Sequence, residues 1–284
     1  MKLSCAVRMR TLWSHKKTVS APTSARGAPI SLHRLLGRNK LGQSEMARAL
    51  IFGGGGATHG TDPGLEDTMM TLLPRHPKIG YIGLANDDNP DRLARTEQRF
   101  TTLAASFTHL PKTATKTQAA AWAKNLDAIY VGGGQTAKLL ATWRESGIED
   151  VLRAAAARDV LLSGVSAGAM CWFDFTFWDG GGTNYQPLKG LGIFAGSCCV
   201  HYTTEVERAA WYKDHVLRGD IPGGFAIGDG AGLYLDHAGH CAAVEARDGT
   251  GVWTIAATKG SLEIKKIEAL LGPLHHKTQE DSLG

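Results

Sequence analysis

The chain has 284 residues, of which 43% are hydrophobic and 20% charged, the mix of a globular protein with a sizeable core. No run of about 18 apolar residues occurs, which argues against a membrane span. The net charge of +4 is unevenly placed: residues 1–45 carry nine Lys or Arg against one acid, Glu45, leaving the other 239 residues at −4. The basic balance therefore rests on one tail, and it does not argue for a nucleic-acid partner.

Residues 1–45 lack periodicity and are rich in Ser, Arg, Pro and Gly. They fit a disordered tail, an Arg-rich transit peptide, or an extension upstream of a start at Met46. A folded unit is expected over 46–272, with 273–284 a solvated tail. Within it, Ala49–Phe52 reads as a strand that runs into Gly53 to Gly56. Lys78–Ala85 reads as a second apolar strand, and Asp91–Ser106 as a helix with Leu93, Phe100, Leu103 and Ala104 on one face. Asp127–Val131 is a third strand, ending in Gly132-Gly133-Gly134. Thr136–Glu145 then has Leu139, Leu140 and Trp143 at helical spacing, with Gly147 as a stop. Ile148–Arg158 is a further helix and Val160–Leu162 a strand. The C-terminal part offers the strands Ile193–Val200, Phe225–Ile227, Leu233–Leu235, Ala242–Glu245 and Val252–Ala257, with one helix, Glu205–Leu217. Strands alternating with helices predict an α/β protein in three layers, αβα, around a mostly parallel, doubly wound sheet whose last strands turn antiparallel.

The strongest local signal is Gly164-Val165-Ser166-Ala167-Gly168-Ala169. It contains G-x-S-x-G between a buried-type strand and a small-residue segment able to open a helix, the context of a nucleophile elbow. A tight Gly/Ser turn without catalysis would explain the motif alone, but not this setting. A serine hydroxyl needs a base. Of eleven histidines, His201 stands where the strand Ile193–Val200 emerges; His59, beside the first glycine turn, competes with it. The loop Gly132-Gly133-Gly134-Gln135-Thr136 also ends a strand and opens a helix. Backbone N–H groups of Gly133 and Gly134 there, with that of Ala167, are suited to hold an oxyanion. Neither glycine loop matches the phosphate-binding pattern G-x-x-x-x-G-K-[ST], and the first is only a weak dinucleotide signal.

Taken together, Val131-Gly132-Gly133-Gly134-Gln135-Thr136, the Gly164–Ala169 elbow and Gly196-Ser197-Cys198-Cys199-Val200-His201-Tyr202 resemble the serine peptidase family of dipeptidase E and cyanophycinase, over roughly residues 48 to 260. The resemblance implies a class I glutamine-amidotransferase-like fold, no cofactor and no metal, and cleavage of short peptides. It implies Ser166 as nucleophile and His201 as base, with either Asp229 or Asp179 to orient the imidazole. Gln135 stands where relatives more often have Asn, and Arg208 aligns approximately with an arginine that takes a substrate aspartyl group. A cyanophycinase-like hydrolysis of β-aspartyl-arginine is the alternative within the family; a non-catalytic small-ligand domain is the alternative outside it. The aromatic run Trp172, Phe173, Phe175, Phe177 and Trp178 reads as helix and loop packing, or as a wall that limits substrate size. Cys171 reads as lying within the post-elbow helix, a poor place for a nucleophile. The five cysteines show no metal spacing and fit free thiols in a reducing cytoplasm. The expected state is a monomer or homodimer.

Overall fold

The computed structural model describes residues 47–178, 185–236 and 238–271, so the readings for 1–45 and 273–284 lie outside the described residues. In chain order the elements are β1 (Arg48–Phe52), α1 (Gly56–His59), α2 (Gly64–Met70), β2 (Lys78–Ile82), a 3-10 turn (Leu84–Asn86), α3 (Pro90–Thr102), β3 (Ser106–His109), α4 (Lys116–Ala123), β4 (Ala128–Val131), α5 (Thr136–Ser146), α6 (Ile148–Ala156), β5 (Leu161–Val165) and α7 (Ala167–Met170). There follow β6 (Phe173–Trp178), β7 (Gln186–Lys189), β8 (Phe194–Cys199), α8 (Val206–Arg218), β9 (Gly224–Ile227), β10 (Ala231–Leu235), β11 (Cys241–Glu245), β12 (Val252–Thr258), β13 (Ser261–Lys266) and β14 (Ala269–Leu271). Among the described residues, no helix is long and apolar enough to cross a membrane.

Among the described residues, eight strands form the main sheet in the order β14-β11-β10-β1-β5-β4-β2-β3. From β1 to β3 every pairing is parallel, whereas β10 and β11 add antiparallel. Successive side chains on a strand point to opposite faces. Ala49 and Ile51 accordingly enter one core layer, and Leu50 and Phe52 the other. The Leu50 layer is closed by α2 and α3 through Leu65, Met69 and Phe100. The opposite layer is closed by α4, α5 and α6, including Ala119, Trp143 and Leu152. This is the three-layer αβα arrangement.

Local chemistry explains several helix boundaries. Asn89 accepts the Arg92 N–H ahead of Pro90, which opens α3. Thr115 and Gln118 form a reciprocal capping box at α4, and Gly147 ends α5 in the left-handed region at φ 71°. A side-chain N-cap such as Asn89 or Thr115 contributes about 1 kcal/mol.

Four expectations need correction. The helix drawn to Ser106 stops at Thr102: Ala104 turns left-handed at φ 59°, and Ser106–His109 becomes the edge strand β3. The post-elbow helix is only four residues long, so Cys171 follows it rather than lying inside it. Of the aromatic run, Phe173, Phe175, Phe177 and Trp178 lie not in helix or loop but in the strand β6, while Trp172 sits in the turn before it. Aromatic and β-branched residues fit a half-buried pleated surface. That strand belongs to a second sheet, ordered β13-β12-β9-β8-β6-β7. Phe225–Ile227 and Val252–Ala257 thus build this second sheet instead of extending the first. Phe173, Phe225 and Ile255 join the same core layer as α5 and α6, which binds the two sheets into one body.

Candidate active site

The site forms at the seam of the two sheets. Strands β1, β4 and β5 are neighbours and parallel, so both glycine loops and Ser166 emerge at one edge, the carboxyl ends where open α/β sheets bind ligands. Ser166 takes φ 57°, ψ −117° between β5 and α7, a region that is costly for a residue with a Cβ. Its N–H is tied to the Phe52 carbonyl at 3.1 Å. The flanking glycines make the turn sterically feasible. A Cβ on Gly164 would lie 2.5 Å from the Gly168 carbonyl oxygen and 2.6 Å from that of Val131, and one on Gly168 would collide with the Val131 carbonyl.

The second sheet supplies the other two groups. β8 and β9 are adjacent and parallel, so the residues just beyond their carboxyl ends, His201 and Asp229, come side by side. A bridge between Gly54 and Asp229 ties this edge to the main sheet. His201 donates Nδ1–H to Asp229 Oδ1 at 2.6 Å, because a carboxylate can only accept. That leaves Nε2 to accept the Ser166 hydroxyl at 3.0 Å. Thr204 donates its hydroxyl to Asp229 Oδ2 at 2.7 Å. Burial alone would raise the Asp229 carboxyl, but the bonds from His201 and Thr204 and the nearby imidazole charge outweigh it and hold the group below the usual carboxylate range.

Gly133 lies against the hydroxyl-bearing residue: a Cβ on it would be 3.2 Å from Ser166 Cβ. The ends of its loop are fixed by Gly132 N–H to Ile82 O at 2.9 Å and Gln135 N–H to Ala85 O at 2.8 Å. The Gly133 carbonyl is held by Asn86 Nδ2 at 3.0 Å and Arg92 Nη1 at 3.3 Å. The N–H groups of Gly133 and Gly134 have no protein acceptor among the described residues. Ala167, first in its helix, has no intrahelical acceptor for its N–H either.

The remaining residues named from sequence fall as follows. Gln135 sits exposed at the head of α5. Arg208 is buried on α8, its Nε 2.7 Å from Glu205 Oε2 and its guanidinium over the rings of Phe177 and Tyr185 at 5.8 and 5.7 Å. Asp179 lies outside the described residues. His59 is not bonded to Ser166; it accepts the Gly55 N–H at Nδ1, with its ring 6.1 Å from that of His201. Burial pushes the Cys171 thiol well above its ordinary value, the reverse of what a thiolate nucleophile needs.

Asn86, Arg92 and Thr204 were missed from sequence. For Asn86 a signal existed, the polar run Asn86-Asp87-Asp88-Asn89 after a parallel strand. Arg92 and Thr204 had none, since each acts across a tertiary contact.

A hydroxyl, an imidazole and a carboxylate bonded in series at the carboxyl edge of a three-layer αβα fold define a serine-type hydrolase. Residues 49–240 match the model of peptidase family S51, and the chain belongs to that family of serine-type peptidases. It is 33% identical over 193 residues to the "Uncharacterized peptidase YgaJ" of Bacillus subtilis (strain 168), covering 67% of this chain and 84% of that protein. Among solved structures it resembles a peptidase from an acI-B1 Actinobacterium, with TM-score 0.59 and 16% identity over 79% of this chain and 99% of that one. A putative peptidase E protein from Listeria monocytogenes EGD-e gives TM-score 0.52 and 14% identity, over 78% and 100% of the two chains. These two likenesses are of fold.

Proposed function

We propose that the chain hydrolyses short peptides, dipeptides foremost, through an acyl-enzyme formed on Ser166. The observation that carries this reading is the chain of bonds from Ser166 Oγ to His201 Nε2 and from His201 Nδ1 to Asp229 Oδ1, at 3.0 and 2.6 Å. Ser166 attacks the scissile carbonyl while Nε2 takes its proton and returns it to the leaving amine. Water then enters by the same route in reverse and frees the acid. Asp229 keeps the imidazole in the required tautomer and stabilises its cation. The N–H groups of Ala167 and of Gly133 or Gly134 hold the oxyanion, a donor of this kind contributing about 10²–10³ in rate.

Arg208 is the group we assign to an acidic substrate side chain. Its pairing with Glu205, which is 41% exposed, offers a carboxylate that a substrate carboxylate can replace, and the rings of Phe177 and Tyr185 wall the guanidinium in. A hydrogen bond to a charged group contributes about 1.5–3 kcal/mol, enough to select Asp over Asn. The unit carrying the activity is taken as 46–272. The free thiols of Cys171, Cys198 and Cys199 support a reducing, cytoplasmic setting.

The test is hydrolysis of a peptide panel, Asp-Leu, Asn-Leu, Leu-Leu and β-aspartyl-arginine, by wild type and Ser166→Ala. Asp-Leu cleavage that vanishes in Ser166→Ala is expected. Ser166-dependent cleavage of the other peptides instead would keep the mechanism and sink the aspartyl assignment. No turnover of any peptide by folded wild type would overturn the peptidase reading of this site in favour of ligand binding.

A further inference from the structure

His59 has no part in the bonds described above, yet it is held with care at their edge. The Gly55 N–H donates to its Nδ1 at 3.0 Å, so in the neutral ring the proton sits on Nε2. That Nε2 lies 3.6 Å from the point where a Cβ on Gly133 would project, a point only 3.2 Å from Ser166 Cβ. His59 Nε2 and Ser166 therefore border the same small space beside Gly133. The two imidazoles have opposite assignments: His201 presents an acceptor to that space, His59 a donor.

We infer that His59 is a further catalytic residue, whose Nε2–H donates to the oxygen that becomes negative when Ser166 adds to the substrate carbonyl. The inference rests on the proposed role of Ser166. It places a third donor, from a side chain of the first glycine turn, beside the backbone donors of the second.

Two further observations support it. The surroundings favour the neutral ring, which suits a fixed donor next to a base that must itself accept a proton. Burial lowers the His59 pKa most, His201, Arg92 and Arg95 lower it further, and Asp229 opposes them without reversing the direction. The short helix that carries the ring is also anchored on several sides. Glu66 Oε1 accepts the Ala57 N–H at 2.8 Å. Arg95 donates to the Thr58 and Ala57 carbonyls at 3.0 and 3.4 Å, and the Gly60 N–H closes the turn on Gly56 O at 2.8 Å. A donor fixed before the reaction costs no reorganisation during it, which is the condition for electrostatic stabilisation of a transition state.

Two variants separate a donor from a prop for the glycine turn. His59→Asn places an oxygen where Nδ1 accepts the Gly55 N–H but has nothing at the Nε2 position. His59→Gln reaches that position with an amide N–H. His59→Asn is expected to lower kcat by about 10²-fold with KM changed less than about threefold, and to slow capture of Ser166 by a phosphonate probe, whose oxygen stands where the oxyanion forms, by a like factor. His59→Gln is expected to recover at least about tenfold of that loss. Wild-type kcat in His59→Asn, equal losses in both variants, or a loss confined to KM would each overturn the inference. Ser166→Ala is measured in parallel. If it keeps wild-type turnover, the Ser166 reading itself fails; if it is dead while His59→Asn is undiminished, only the present inference fails.

Discussion

Two carboxylates flank the first glycine turn, and they are pushed in opposite directions. Asp229, at the seam of the sheets, receives one bond on each oxygen, from His201 and from Thr204, and ends below the usual carboxylate range. Glu66, fully buried beneath the turn, also receives two bonds, but both fall on Oε1, from the Ala57 N–H at 2.8 Å and the Tyr130 hydroxyl at 3.1 Å. Among the described residues its Oε2 finds no hydrogen-bond partner and faces Arg99 Nε only at 3.9 Å. Burial then dominates and raises the group to about 7. Two bonds are thus no guarantee of an ionised acid. An oxygen left unserved in a dry site favours the proton, whereas both oxygens served beside an imidazole favour the charge. The first arrangement suits a structural acid and the second an acid that must stay ionised to steady a cation.

The comparison breaks most sharply at Asp229→Asn. An amide can present its N–H₂ to Nδ1 and favour the wrong imidazole tautomer, so kcat is expected to fall by about 10⁴-fold with the fold intact. Near-wild-type turnover would mean that another acid orients His201. Glu66→Gln tests the other side. In the unfolded chain Glu66 ionises near 4.5, but in the folded protein only near 7. The folded state therefore loses relative stability as pH rises from 4.5 to 7 and nothing further above that range. In urea denaturation, Glu66→Gln is expected to match wild type near pH 4 and to exceed it by about 3 kcal/mol at pH 8. A difference that does not vary with pH would sink the account of Glu66.

Smaller changes sharpen the contrast. Thr204→Val removes the donor on Asp229 Oδ2, lets the carboxyl rise toward its ordinary value, and should lower kcat/KM by about tenfold. An unchanged rate would make His201 alone sufficient to hold Asp229. Tyr130→Phe removes one of the two bonds to Glu66 Oε1 and is expected to cost about 1 kcal/mol in thermal or urea unfolding at neutral pH. A cost as large as that of a core cavity would point to packing rather than to the hydroxyl.

The sequence by itself determined the parts of this protein that are local. The elbow around Ser166 was legible because a strand, a strained turn and the glycines that permit it lie within a few residues of one another. The alternating apolar strands and helices of the parallel half were legible for the same reason, each element carrying its own periodicity. His201 was legible as a residue at a strand end, but its partner was not: Asp229 and Asp179 read alike until β8 and β9 paired in parallel and brought Asp229 to Nδ1. The second sheet was hidden because its strands come from both sides of α8 and are assembled by pairing rather than marked by pattern. Tertiary structure alone decided that Thr204 and Arg92 serve the site, that His59 Nε2 borders the space beside Gly133 and Ser166, and that Glu66 is buried with one oxygen unserved among the described residues. Hydrogen bonds and desolvation act over a few ångströms in space, whatever the separation along the chain.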